Sequence, residues 1–125
     1  MKIGVEDARD YWRHPSQQVH GARPDAIDDN GFVFYADGAL CLAFHDMPHQ
    51  GFVMVHCAMK PEGWGRSDEA CRLLLREAWG DLSPHRIVAW VPEASRAVVA
   101  FARRAGFVRD GVMPGIVMMG WTPCR

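Results

Sequence analysis

Residues 51–59, Gly51-Phe52-Val53-Met54-Val55-His56-Cys57-Ala58-Met59, are apolar at almost every position rather than at every second one. A strand apolar on both faces has to be covered on both faces, which puts it in the middle of a sheet. Downstream, Ser67 is positioned to cap a helix in which Ala70, Leu73, Leu74 and Ala78 recur at helical spacing, with Gly80 as its stop. Ile87-Val88-Ala89-Trp90-Val91 then forms a second buried strand. A strand that returns through a helix to its neighbour runs parallel to it. This crossover demands one parallel pair and sharply limits the folds open to the chain.

The remaining segments pair the other way. Gly31-Phe32-Val33-Phe34-Tyr35 and Ala39-Leu40-Cys41-Leu42-Ala43-Phe44 flank Ala36-Asp37-Gly38, whose Asp-Gly step signals a hairpin. A helix is expected over 95–105, with Ala97, Val98, Phe101, Ala102 and Ala105 on one side and Arg96, Arg103 and Arg104 toward solvent, ending at Gly106. Strands at 107–112 and 116–121 follow, joined through Met113-Pro114-Gly115. At the N-terminus a short strand over 2–5 precedes a helix opened by Glu6 and Asp7, which runs through Tyr11 and Trp12 to His14-Pro15. Residues 16–30 read as loop or weak helix. The expected fold class is α/β (α+β), a central mixed, mostly antiparallel sheet of six to seven strands flanked by helices, with one parallel pair at its centre.

With 125 residues the chain fits one domain, since two would each be too small to bury a core. A formal net charge of -1 supplies no overall basic field for nucleic acid or an anionic membrane. No run approaches the ~18 apolar residues that span a bilayer, and the first residues lack a signal peptide's apolar stretch. Cys41, Cys57, Cys71 and Cys124 form no C-x-x-C pair, and three of them lie in apolar runs where a thiol behaves as a small buried hydrophobe. A soluble, unprocessed protein of the reducing cytosol is the expectation.

The run Val91-Pro92-Glu93-Ala94-Ser95-Arg96-Ala97-Val98-Val99-Ala100-Phe101-Ala102-Arg103-Arg104-Ala105-Gly106-Phe107, together with the element order, resembles the GNAT superfamily of acetyl-coenzyme A-dependent N-acetyltransferases. Members typically have an Asn-capped helix with a Phe or Leu followed by Tyr, closing on Gly-Phe. Counting back from Gly106-Phe107 puts Phe101 on the Phe/Leu position, Ser95 on the Asn and Ala102 on the Tyr. Ser95 keeps an oxygen able to cap. Ala102 has none of the chemistry of a tyrosine that protonates the leaving thiolate.

The resemblance further implies that the loop after the central strand cradles the cofactor's pyrophosphate with backbone N–H groups at a helix N-terminus. Two registers fit Lys60-Pro61-Glu62-Gly63-Trp64-Gly65-Arg66-Ser67. One reads Lys60-x-x-Gly63-x-Gly65 as the family's Gln/Arg-x-x-Gly-x-Gly. The other, preferred, aligns Pro61 with a family proline, Gly65 with the glycine of its Arg-Gly pair, Ser67 with a second glycine and Leu73-Leu74 with its Leu pair. Trp64 then replaces the usual Arg, while Arg66 remains as a cation for a phosphate. Asp68 and Glu69, in the first helical turn, complement the helix dipole and oppose a bound pyrophosphate. The resemblance spans about residues 31–121, and small phage-encoded GNAT-like proteins show a similar short form.

For chemistry, the family's direct attack of an amine on a thioester needs a base and an oxyanion donor. His56 on the central strand is the candidate base, because imidazole titrates near neutrality. Glu62, acting through water, is the weaker candidate. The oxyanion donor implied by the resemblance is a backbone N–H at Ala58 or Met59. Trp64, Gly65, Arg66, Ser67 and Ser95 complete the cofactor contacts so implied. Tyr35 is either a strand aromatic or a group pointing into the acceptor cleft. His45, Asp46 and His49 lack a recognised metal spacing and read as a polar loop, so no metal is expected.

The whole chain, 1–125, thus reads as one GNAT-like domain, with 1–50 as the acceptor-side half and 51–121 as the acetyl-CoA-binding half. The expected function is acetyl transfer from acetyl-CoA to a primary amine on an unidentified small molecule or protein. The alternative is a catalytically inactive GNAT-like phage or prophage protein with a binding or structural role. Location would be the cytoplasm, that of the host if phage-encoded, or a virion. Most of the five tryptophans are expected in the core or at a subunit contact, which allows a homodimer.

Overall fold

The computed structural model describes residues 1–18, 31–48 and 51–123. Its strands are β1 (Lys2–Ile3), β2 (Phe32–Asp37), β3 (Leu40–Asp46), β4 (Phe52–Met59), β5 (Arg86–Pro92), β6 (Val108–Met113) and β7 (Ile116–Trp121). The helices are α1 (Val5–Arg13), α2 (Pro15–Gln18), α3 (Asp68–Leu82) and α4 (Arg96–Arg104), with a single 3-10 turn at Pro61–Gly63. One seven-stranded sheet has the order β1-β2-β3-β4-β5-β7-β6. Every neighbouring pair is antiparallel except β4 with β5, the two strands joined by the α3 crossover. The mixed sheet with one parallel pair is the expected fold class.

Strand alternation divides the interior into two layers. Leu40, Leu42 and Phe44 of β3 face α3 and α4 together with Val53, Ile87, Ala89 and Val91, and meet Cys71, Leu74, Leu75, Ala78, Ala102 and Ala105. The odd positions Cys41 and Ala43 face the other way, with Phe34 and Ala58, and α1 covers them with Ala8 and Trp12. Helices on both sides are what a strand apolar on both faces requires. Tyr35 lies wholly in the α3 layer, where its hydroxyl donates to Asp81 Oδ2 at 2.8 Å. It does not face an acceptor cleft.

Several local expectations shift. In α3 the buried pair is Leu74 and Leu75, while Leu73 is 55% exposed, so the buried stripe is rotated by one residue from the Leu73-Leu74 reading. Gly80 does not stop α3; the helix continues to Leu82 and ends on Ser83 in the left-handed region, φ 48°. Half-buried Trp79 and Leu82 extend the core contact and outweigh a mid-helix glycine, which costs about 1 kcal/mol. The β2–β3 turn is tighter than expected, with Asp37 opposite Leu40 and Gly38 at φ 59°. Ser67 and Ser95 do stand at the helix N-cap positions, yet neither side chain makes the cap hydrogen bond. Their backbones (ψ 11° and 65°) lie outside the extended region that aims a capping oxygen at the first turn. Among the thiols, Cys41 and Cys71 are buried but Cys57 is exposed. Cys124, residues 19–30 of the expected loop, and His49 lie outside the described residues.

Candidate functional site

β4 and β5 pair only through Phe52 with Arg86, Val53 with Ile87 and Met54 with Val88. Beyond Met54 the two strands separate, although β4 continues to Met59 and β5 to Pro92. A parallel pair that opens in mid-sheet leaves backbone groups unpaired along a wedge, and such groups need partners. The wedge also explains why Cys57 is exposed on an otherwise central strand: β5 no longer lies beside it.

The strand's hydrogen bonding identifies which groups line the wedge. Phe52 O accepts from Met47 N, and Lys60 N donates to Ala39 O, so even-numbered residues of β4 present their backbone to the β3 side. Gly51 O accepts from His85 N, so odd-numbered residues present theirs toward β5. By this alternation Val55, Cys57 and Met59 address the wedge, whereas Ala58 pairs with Cys41 and addresses β3. Met59 O takes a 2.6 Å hydrogen bond from Gln17 Nε2 of α2. Of the two expected oxyanion donors, Ala58 therefore faces away and Met59 sits at the wide end. Val55 and Cys57 were missed at the sequence level, because strand parity tells which backbone groups face β5 but not that β5 departs after Val88.

At the wide end the chain turns through Pro61–Gly63 into α3. Gly63 is packed tightly: a Cβ there would come within 2.8 Å of Ser67 Oγ and 2.9 Å of Ala39 Cβ. Ser67 is buried and its hydroxyl donates to Gly63 O at 2.9 Å, which closes the loop. Gly65 has φ +75° and only open space where a side chain would be, so its backbone is accessible. Cys71 N is bonded to Ser67 O, so the N–H groups of Asp68, Glu69 and Ala70 form the open first turn of α3. Trp64 is 60% exposed and Arg66 exposed beside that turn. These donors suit a pyrophosphate.

The acidic residues of the turn are partly accounted for. Asp68 Oδ2 accepts from Arg104 Nε at 2.9 Å, and Arg104 O accepts from Arg72 Nη1 at 2.7 Å, tying α3 to α4. Asp68 Oδ1 is buried and makes no hydrogen bond among the described residues. The Asp68 charge is thus directed into α4 rather than at an approaching phosphate. Glu69 remains exposed.

The narrow end of the wedge carries the imidazoles. His56 Nε2 lies 2.9 Å from His45 Nε2, the ring planes differ by 18°, and the Phe32 ring stands 5.1 Å from His45 and 6.1 Å from His56. Desolvation by the surrounding protein, and then the neighbouring charge of His45, push the His56 pKa below its ordinary 6.5. Continuing the parallel register from Met54 with Val88 sets Trp90, 44% exposed, level with His56 across the opening. Glu62 sits six residues beyond His56 at the wide end, and the strand between His56 and Met59 alone spans about 10 Å. The structure therefore does not bring the two candidate bases together.

Ser95 lies at the far end of β5, its N–H bonded to Pro92 O. Ala102 is buried against the sheet. Neither tyrosine stands in for an acid at the wedge: Tyr35 is in the core, and Tyr11 donates its hydroxyl to Gly38 O at 2.7 Å. Among the described residues no group of three or more His, Cys, Asp or Glu could hold a metal ion, and no helix is long and apolar enough to cross a membrane. A depression of about 60 Å³ lined by Arg72, Arg76, Gly106 and Trp121 lies at the closed end of β5 and is too small for a cofactor.

No family model matches the sequence, and no curated protein is significantly similar to it. Solved structures, by contrast, are similar in fold. The aminoglycoside acetyltransferase AAC(6')-Ib in complex with coenzyme A superposes with a TM-score of 0.74 at 12% identity, covering 98% of this chain and 93% of that one. The ribosomal-protein-S5-alanine acetyltransferase of Vibrio fischeri gives 0.70 at 11% identity, over 99% and 92%. A GNAT-family acetyltransferase of Bacillus anthracis gives 0.56 at 15% identity over 66% of this chain, which spans only 57% of that protein's length. The fold is that of the GNAT acetyltransferases.

Proposed function

We propose that the chain is an N-acetyltransferase of the GNAT superfamily that uses acetyl-CoA and acetylates a primary amine by direct attack within a ternary complex. The observation that carries this reading is the wedge between β4 and β5, with the open first turn of α3 at its wide end and a low-pKa imidazole at its narrow end. The half from residue 51 to 121 would hold acetyl-CoA, and residues 1–50 would shape the acceptor side.

Bound acetyl-CoA supplies a thioester carbonyl to the amine and a thiolate that leaves with the electron pair of the C–S bond. Gly65, Arg66 and the N–H groups opening α3 would hold the phosphates, with Trp64 and Ser67 forming the loop around them and Ser95 flanking the opposite wall. The backbone N–H groups of Val55 and Cys57 line the wedge where a carbonyl oxygen would gain charge. His56, neutral at physiological pH, would take the proton released by the amine. Without a tyrosine at Ala102 the thiolate would leave unassisted, which the weak basicity of a thiolate relative to an alkoxide permits.

A second reading has its own observation. Ala102 at the proton-donor position and the acidic pair Asp68 and Glu69 favour a phage or prophage protein that retains the fold for a binding or structural role. Free thiol release from acetyl-CoA, followed over a panel of polyamines, aminoglycosides, aryl-alkyl amines and N-terminal peptides, separates the two. Transfer to any of them supports the enzyme; none, with coenzyme A bound, supports the second reading.

A further inference from the structure

Hydrogen bonding around the imidazole pair fixes more than the position of His56. His45 Nδ1 lies 2.9 Å from the Asp46 carbonyl oxygen. A carbonyl oxygen only accepts, so His45 Nδ1 carries the ring hydrogen. A neutral imidazole has one such hydrogen, so His45 Nε2 presents a lone pair. His56 Nε2, 2.9 Å away, must then be the donor, which leaves the His56 lone pair on Nδ1.

We propose that His45 is the positioning residue of this site, and that it holds His56 in the Nε2–H tautomer so that Nδ1 is the basic atom. The inference rests on the acetyltransferase reading for its catalytic meaning, but the tautomers themselves do not. When the attacking amine loses its proton to His56 Nδ1, the resulting imidazolium shares its Nε2 hydrogen with His45. That hydrogen can cross the 2.9 Å contact to His45 Nε2, leaving a cation anchored by its Nδ1–H on the Asp46 carbonyl. No atom or electron is left unplaced: one proton leaves the amine nitrogen and one resides on the pair.

The surroundings suit this role. The Phe32 ring of β2 lies tilted against both imidazoles, and the strand register sets Trp90 of β5 level with His56 across the opening, so neither neighbour brings a competing charge. His45 is the ionisable group whose charge reaches His56. His45 is positioned on β3 opposite Met54, two residues from the partner of His56, a diagonal across which long side chains meet.

Two-bond 1H–15N correlation spectra of the full chain, labelled with 15N-histidine and recorded at pH 8 without any acetyl donor, read both tautomers directly. The expected result is His45 as Nδ1–H, the minor form of imidazole in water, and His56 as Nε2–H. His45 as Nε2–H, or His56 as Nδ1–H, overturns the proposal. The variants His45→Leu and His45→Gln extend the test. With an active amine, Leu should lower kcat about tenfold at unchanged KM. Gln, whose amide oxygen accepts from His56, should recover most of the loss; equal activity of both variants and the wild type overturns the positioning role. Correct tautomers in a protein that acetylates no amine would sink the acetyltransferase reading and leave the pair standing, whereas wrong tautomers in an active enzyme would sink only the pair.

Discussion

His56 has a pKa lowered first by burial and then by the charge of His45, so its neutral form is favoured in the folded state. The acetyltransferase reading turns this into a rate prediction: kcat/KM should fall as pH drops through a pKa below 6.5, and His56→Gln should cost about 10²–10⁴ in kcat and abolish that limb. The same shift has a sign for stability. The unfolded chain binds the proton more readily than the native one, so native stability is full above the unfolded value and is lost as pH falls from about 6.5 toward the depressed folded pKa. Denaturant melts of the wild type and His56→Gln at pH 8 and pH 5 should therefore show a smaller acid loss in the variant. Gly65 supplies a backbone test of a different kind. At φ +75° any L-residue is strained, so Gly65→Ala should destabilise the chain by about 1 kcal/mol. No atom blocks the added Cβ, so the variant should still fold, with weaker coenzyme A binding if the loop must relax.

At the scale of elements, α3 and α4 are joined where a phosphate would approach. The Asp68–Arg104 pair is half exposed, and its contribution to stability should be about 1 kcal/mol or less. Its larger effect is predicted on ligand affinity: Arg104→Ala frees the Asp68 charge and should weaken coenzyme A severalfold, while Asp68→Asn should strengthen it. Titration calorimetry on both variants measures this; tighter binding by Arg104→Ala, or weaker binding by Asp68→Asn, would show that the Asp68 charge does not act on the ligand. Much of this element-level structure was readable in the sequence. The apolar run at β4, the crossover and the closing Gly106-Phe107 lie where periodicity put them, because each is dictated by local pattern. What escaped was set by neighbours. Leu74 and Leu75 replace Leu73 and Leu74 in the core because α3 is rotated by its packing on the sheet, and Ser67 turns its hydroxyl to Gly63 because the loop closes there.

For the whole molecule, the wedge is the feature that sequence could not supply. Nothing in the side chains of Val55 or Cys57 marks their backbone as unpaired; that follows only from β5 leaving β4 after Val88. His56 was legible as a residue, but its link to His45, eleven positions away, depends on the β3–β4 register. Fold similarity to acetyltransferases at 11–15% identity is consistent with this division, since packing patterns persist where sequence identity does not. A ligand that occupies the wedge must stabilise the native state through mass action. Thermal unfolding with acetyl-CoA at one hundred times its dissociation constant should show about 2.7 kcal/mol of added stability, a rise of roughly 10 °C for a domain of this size. No shift at millimolar acetyl-CoA, with the protein folded and monitored to full unfolding, would contradict the claim that this wedge is an acetyl-CoA site.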